Sequence, residues 1–538
     1  MSAERERTRK IRILLILFLV GIIINLVVVF LVNTPGYMDA EYYYSGAQQL
    51  FRGNGFWEPF LWNYLDQPDG IPHPSHTYWM PLPSIISVGG MLLAGNDGFI
   101  SARILFIPLA GLIGVITALI AWRLGLGVWQ GTLAGGLALA SGFYLPYQTL
   151  PESFSLYMVL GGAFFLTAFP QKGKLLSLPL SCLVLGSLAG LMHLSRADGL
   201  LWFFGSVAVI LLEYLIDRKT TAFSKVLVGI VMAAVGYLLL MAPWYARNLS
   251  LYSRLMAPGG SKTIFLTNYN QTFVYPPDVL NLDSWLQAGW GLHFADRLSA
   301  LKSNLLTTLG VQGLVVLLPL ILAGAWSLRK ERLVWVGFLA WFATLLVMTV
   351  VFPYSGARGG FFHSGSALQP LFWALVPAGL NQFIDYAESK KGWNAKQANQ
   401  VFGASLLVIC VLISGFLFST RVLSKGTLNW DNTWQKHQKI GDNLIKFGAS
   451  SEDIIVVNNP PGFTAASGFS SVVIPDGDED TVLEVAKKYD ARFLALDNNA
   501  VAGLKELYGN PKDVFGLQYL GTDDGVRYFL IILAENDR

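Results

Sequence analysis

Charge is scarce in this 538-residue chain: only 14% of its residues are Asp, Glu, Lys or Arg, against about a quarter in an ordinary soluble domain. Hydrophobic types reach 53% and the mean hydropathy is +0.48. So much apolar surface cannot be hidden in one water-soluble core, which excludes a soluble enzyme and a disordered chain. The formal net charge of +3 offers no field for a polyanion and excludes a nucleic-acid binder. Cysteine is scarcer still. Cys182 and Cys410 both lie in apolar runs and read as core or lipid-facing residues, not as a disulfide or metal ligands. No Walker or dinucleotide glycine motif, internal repeat or low-complexity segment occurs, so no nucleotide site is assigned.

What the chain does have is long apolar runs. A span needs about 20 mostly apolar residues. Eleven segments qualify: 11–32, 99–122, 128–146, 153–170, 175–194, 199–216, 224–244, 305–327, 333–352, 366–386 and 398–420. Residues 82–95 are apolar but short, and read as interfacial or re-entrant. Basic residues set the orientation. Arg5, Arg7, Arg9, Lys10 and Arg12 place the N-terminus in the cytoplasm, ahead of an uncleaved first helix. Clusters at Lys172/Lys174, Arg218/Lys219/Lys225, Arg329/Lys330/Arg332 and Lys390/Lys391 fit the same side. Threading eleven spans through these constraints leaves three large exterior segments: 33–98, 245–304 and the tail.

The tail differs in composition. Residues 425–538 hold 17 acids and 11 bases. Strand-like runs at 453–458, 492–496 and 526–533 alternate with helix-like runs at 432–448, 480–489 and 500–508, which predicts a small α/β domain. The expected fold is thus a polytopic α-helical membrane protein of about eleven spans over 1–424, plus an exterior α/β domain over 425–538.

Polar residues gather on the exterior side. The segment 33–98 has six acids (Asp39, Glu41, Glu58, Asp66, Asp69, Asp97) and one base, Arg52. Asp39 and Glu41 open a predicted helix over 40–52. Either they cap it and complement its dipole, or they form a carboxylate pair available as general base or metal ligand.

The order of the exterior motifs resembles the C superfamily of membrane glycosyltransferases. It is most similar to the branch of dolichyl-phosphate-mannose protein mannosyltransferases and aminoarabinose transferases. The motifs are Asp39-x-Glu41 after the first helix, the Pro/His-rich stretch from His73-Pro-Ser-His76 to Pro83, Pro151-Glu152-Ser153, Ser195-Arg196-Ala-Asp198-Gly199, and Pro243-Trp244-Tyr-Ala-Arg247-Asn248. Together they extend over roughly residues 11–384. The resemblance implies an inverting enzyme that takes a sugar from a polyprenyl-phosphate carrier and transfers it to a protein, lipid or glycan acceptor. The reaction would occur on the exterior face of a bacterial plasma membrane.

By match to the family motif Asp39 is the base candidate, with Glu41 its partner. Ala40 separates the two where the family commonly has adjacent acids. Candidates for the donor phosphate are Arg196, Arg247, Lys262 and Arg358, with Arg247 and Arg358 preferred. Snorkelling at helix ends is the plainer reading of each. Gly356-Ala-Arg358-Gly-Gly360-Phe-Phe-His363 is a glycine-rich polar loop suited to close approach of a ligand. Glu152, Asp198, Asn248, His363 and Tyr42 are candidates for acceptor or sugar. The aromatics Tyr42, Tyr43, Tyr44, Trp57, Trp62, Tyr78 and Trp79 could stack on sugars or anchor interfacial helices. The sequence assigns no cofactor and leaves a divalent ion open, with His73 and His76 as tentative ligands.

Two other readings fit a polytopic chain. A secondary transporter would place polar groups at mid-membrane and show repeats, and here charges are nearly absent from mid-span. A non-catalytic assembly factor would keep the fold without needing Asp39.

Overall fold

The computed structural model describes residues 3–169, 178–216, 223–424 and 430–533. The predicted cytoplasmic bases Lys172, Lys174, Arg218 and Lys219 lie outside them.

Helix α1 (Ala3–Leu31) is the first apolar run. It exposes Ile16, Leu19, Ile23, Val27 and Phe30 along its length, as a lipid-facing helix must. The segment 33–98 folds into α2 (Met38–Phe51), the two-residue strands β1 (Trp57–Glu58), β2 (Phe60–Leu61) and β3 (His73–Pro74), and α3 (Leu82–Ala94). The 13 residues of α3 span roughly 20 Å at 1.5 Å per residue, too little for the apolar layer.

The membrane part continues through α4 (Phe99–Arg103), α5 (Phe106–Arg123), α6 (Val128–Ala140), α7 (Ser153–Thr167), α8 (Leu178–Ser195), α9 (Leu200–Ile216) and α10 (Phe223–Tyr252). The segment after α10 carries short helices α11 (Pro258–Lys262) and α12 (Leu282–Gln287), then α13 (Trp290–Thr307). After it come α14 (Leu318–Ser327), α15 (Arg332–Leu346), α16 (Pro353–Ser355), α17 (Phe361–Gly365), α18 (Gln369–Lys391) and α19 (Ala395–Phe418).

Helix is present at each of the eleven expected positions, and six of the described helices are long and apolar enough to cross a membrane. The expected span 305–327 is broken. Leu314 and Val315 take positive φ between α13 and α14, so no single helix runs through. Where spans pack, small residues let backbones touch. A side chain on Gly186 of α8 or Gly236 of α10 would overlap the carbonyl of Ala233 or Leu183 on the facing helix.

The tail forms α20 (Trp430–Lys446), β4 (Ile454–Val457), α21 (Pro460–Ser467), β5 (Ser470–Val473), α22 (Glu479–Tyr489), β6 (Ala491–Leu496), α23 (Lys505–Gly509), β7 (Leu517–Asp523) and β8 (Val526–Ile531). Helix α21 and strands β5 and β7 had no counterpart in the sequence reading; the Pro-Pro-Gly turn and the short, partly polar runs hide them. The sheet order is β2-β5-β4-β6-β8-β7. Its edge strand β2 comes from the 33–98 segment and pairs parallel to β5, Phe60 opposite Ser471 and Leu61 opposite Val472. The tail and the 33–98 segment therefore share one sheet and one side of the molecule.

A buried ionic group holds the 33–98 segment together. Strands β1 and β3 set Glu58 opposite His73. His73 Nε2 lies 2.8 Å from Asp66 and Nδ1 lies 3.8 Å from Glu58, all three side chains being buried. Burial disfavours the imidazolium, but the two carboxylates outweigh it and push His73 up to about 9. Because this folded value lies above the ordinary 6.5, the stabilisation is full below about pH 6.5 and is lost as pH rises through about 9. His73→Ala should cost about 3–5 kcal/mol by leaving two buried carboxylates unpaired. Thermal unfolding at pH 6 and pH 9.5 checks both: the wild type should lose stability between the two, and the variant should lose much less.

Candidate active site

Three turns distant in sequence converge. Helix α2 starts one residue after Tyr37, which is its N-cap and offers no side-chain cap. Asp39 is therefore the second helical residue and does not cap, contrary to the plain reading of the sequence. Glu152 is the N-cap of α7: its Oε1 accepts from the Ser153 backbone and hydroxyl. His363 lies in α17, just past the kink where Gly359 takes φ +117°, and its ring stacks on Phe154 at 4.2 Å.

These three side chains meet. His363 Nε2 is 3.8 Å from Asp39 Oδ2, and Nδ1 is 3.5 Å from Glu152 Oε1. One ligand atom from each lies within 4.8 Å of the others, the only such cluster among the described residues. Glu152 Oε2 and His363 Nδ1 are buried without a hydrogen-bond partner. Two carboxylates and an imidazole with unmet polar atoms fit a divalent cation. Asp39 is 27% exposed at its side chain against 1% for Glu152, so Asp39 is the carboxylate a substrate can reach.

Electrostatics separate the two acids. Burial, then the neighbouring Glu152, raise Asp39 to about 6. Burial also pushes Glu152 up, but His363 and the Ser153 bonds outweigh it and hold Glu152 below its usual range. Arg196 pairs with Asp198 at 2.9 Å, and its guanidinium lowers the Asp39 carboxyl, which puts cationic charge beside the cluster. Arg358 lies 3.7 Å from the centre of the Tyr269 ring. Tyr269 and Tyr78 both feel the Asp39 charge, and Tyr78 bonds Ser355 at 3.4 Å.

Other predicted site residues are elsewhere. Glu41 is fully buried and faces the tail, where Asn459 Nδ2 donates to it at 2.7 Å. Arg247 donates to the carbonyls of Ser75 and Phe56 and stacks on Trp244 at 4.4 Å. It is an internal tie. Lys262 pairs with Asp278 at 3.3 Å. Asn248 bonds the Leu255 carbonyl and Tyr42 accepts from the His76 backbone, both buried.

The tentative metal pair also fails. His73 is held by Asp66, while His76 bonds Ser75 and Ser84, and burial with Arg247 nearby lowers it to about 3. The predicted aromatic belt is instead packed inward: Trp62 stacks on Trp79 at 4.1 Å, and Tyr42 and Tyr43 are buried beside them, leaving Trp57 as the exposed member. Sequence reading marked Asp39, Glu152 and His363 separately and missed that they form one cluster. They come from three distant turns, so no spacing links them.

No protein-family model matches the chain, and no curated protein matches it in sequence. Solved structures do match. The Archaeoglobus fulgidus oligosaccharyltransferase in complex with Zn and sulfate aligns over 89% of this chain and 68% of its own, at 14% identity and a TM-score of 0.55. The oligosaccharyltransferase AglB of that organism, with an inhibitory peptide and a dolichol-phosphate, aligns over 92% and 70%, at 12% identity and 0.51. ArnT from Cupriavidus metallidurans in the apo state aligns over 95% and 97%, at 12% identity and 0.50. The chain shares the fold of these two oligosaccharyltransferase structures and of ArnT.

Proposed function

We propose that the protein is an inverting glycosyltransferase that moves a sugar from a polyprenyl-phosphate donor to a protein, lipid or glycan acceptor on the exterior face. The observation that carries this reading is the convergence of Asp39, Glu152 and His363 beside Arg196, on a shared glycosyltransferase fold. The zinc and the dolichol-phosphate held by the similar oligosaccharyltransferases support a metal and a lipid phosphate here.

The chemistry is a single displacement at the anomeric carbon. Asp39 takes the proton of the acceptor hydroxyl as its oxygen bonds the sugar. The bond to the donor phosphate breaks, the phosphate keeps the electron pair, and Arg196 and Arg358 receive its growing charge. Asp39, Glu152 and His363 would hold a divalent cation, which would supply Lewis-acid stabilisation of that phosphate.

Two experiments test this. Membranes containing the protein should consume at least one member of a panel of undecaprenyl- or dolichyl-phosphate sugars; consumption of none argues against the reading. The eleven-span, N-in arrangement with an exterior 425–538 domain predicts that alkaline phosphatase fused to the C-terminus is active. An inactive fusion, with a cytoplasmic reporter active at the same point, would reverse the orientation.

A further inference from the structure

The tail touches the segment that carries Asp39 on both sides. Ahead of α2, Thr34 Oγ1 donates to Asp431 at 3.1 Å, and Tyr37 packs on Trp430 with ring centres 5.9 Å apart. Gly36, at φ +85°, presses its backbone so close to the Trp430 ring that a Cβ would overlap it. Within the first turn, fully buried Glu41 accepts from Asn459. Asn459 is itself the N-cap of α21, its Oδ1 accepting from Gly462. Pro460 and Pro461 bring no N–H, so Asn459 is the polar group of that turn which meets Glu41. A Cβ on Gly462 would overlap the Glu41 carboxylate, so the turn is shaped around it.

We propose that Asn459 is a positioning residue: through Glu41 the tail fixes the first turn of α2 and thereby holds Asp39 in register with Glu152 and His363. This rests on the reading of that cluster as the reactive site. It gives the tail a defined role and gives Glu41 one too, as the helix's handle and not as a second base. A helix start with no side-chain cap of its own is free to fray, and here the neighbouring domain supplies the restraint.

The test is a polarity swap on the full chain in detergent, read by hydrogen exchange. Asn459→Asp keeps a good cap for α21 but sets a carboxylate against Glu41. Adding Glu41→Gln restores a donor and acceptor with their roles reversed. Peptides covering residues 37–44 should exchange about fivefold faster or more in N459D and return to the wild-type rate in N459D/E41Q. Strands β4, β5 and β6 should stay protected in both. Unchanged exchange at 37–44 in N459D, no rescue in the double variant, or loss of protection throughout the tail would each overturn the proposal.

Mn2+ titration of the same proteins provides a second readout. N459D should weaken affinity by about tenfold, with recovery in the double variant. Faster exchange with wild-type Mn2+ affinity would show a restraint that does not position Asp39. A wild type that binds no Mn2+ would overturn the metal reading, while exchange still decides the restraint.

Discussion

Asp39→Asn should lower sugar transfer by about 10²- to 10⁴-fold while the protein still inserts and folds. The side chain is isosteric and 27% exposed, so packing changes little and stability should move by less than about 1 kcal/mol. What is lost is the basic oxygen. Asp39 is the carboxylate of the cluster that a substrate can reach, and burial beside Glu152 places it near 6. At neutral pH it is ionised yet basic enough to take a proton, which an ordinary carboxylate does less well. Amide nitrogen can do neither. A transfer assay with equal amounts of the two proteins checks this; full activity in the variant removes Asp39 from the role of base.

Glu152→Gln and His363→Phe should each weaken divalent cation binding by more than about 100-fold, beyond the usual effect of outer-shell partners. Both substitutions isolate ligation from folding. Gln at 152 keeps an oxygen to accept from the Ser153 backbone at the start of α7, and Phe at 363 keeps the stacking on Phe154. Each removes one of the three donors whose atoms lie within 4.8 Å. Mn2+ titration calorimetry reads the result, and wild-type affinity in both variants would mean that the cluster holds no metal.

Much of the frame was legible in the sequence. The spans are hydropathy, which a bilayer reads directly, and α20, α22, α23, β4, β6 and β8 of the tail follow its alternating runs. The break at Leu314 and Val315 was not, because both residues are apolar and only their backbone departs from the helix. Nor could the sequence show that β2, two residues long, leaves the 33–98 segment to complete the tail's sheet. Site residues divide by the same logic. Asp39, Glu152, Arg196 and His363 stand out as polar groups at helix ends. Arg247, Lys262 and Tyr42 stand out equally, and only their partners reveal them as internal ties. His73 has the chemistry of a ligand, but Asp66 and Glu58 occupy it. Glu41 is two residues from Asp39, which on a helix turns it to a different face. The face it meets belongs to a helix more than 400 residues later.

The most direct measurement of the central claim is comparative mass spectrometry of glycans, glycolipids and glycoproteins. The cells compared would carry the wild-type protein, the Asp39→Asn variant or no protein. A sugar-bearing product present with the wild type should be missing from the deletion and from the variant alike. An unchanged profile in the deletion, or a variant that restores the missing product, would contradict the assignment of sugar transfer to this site.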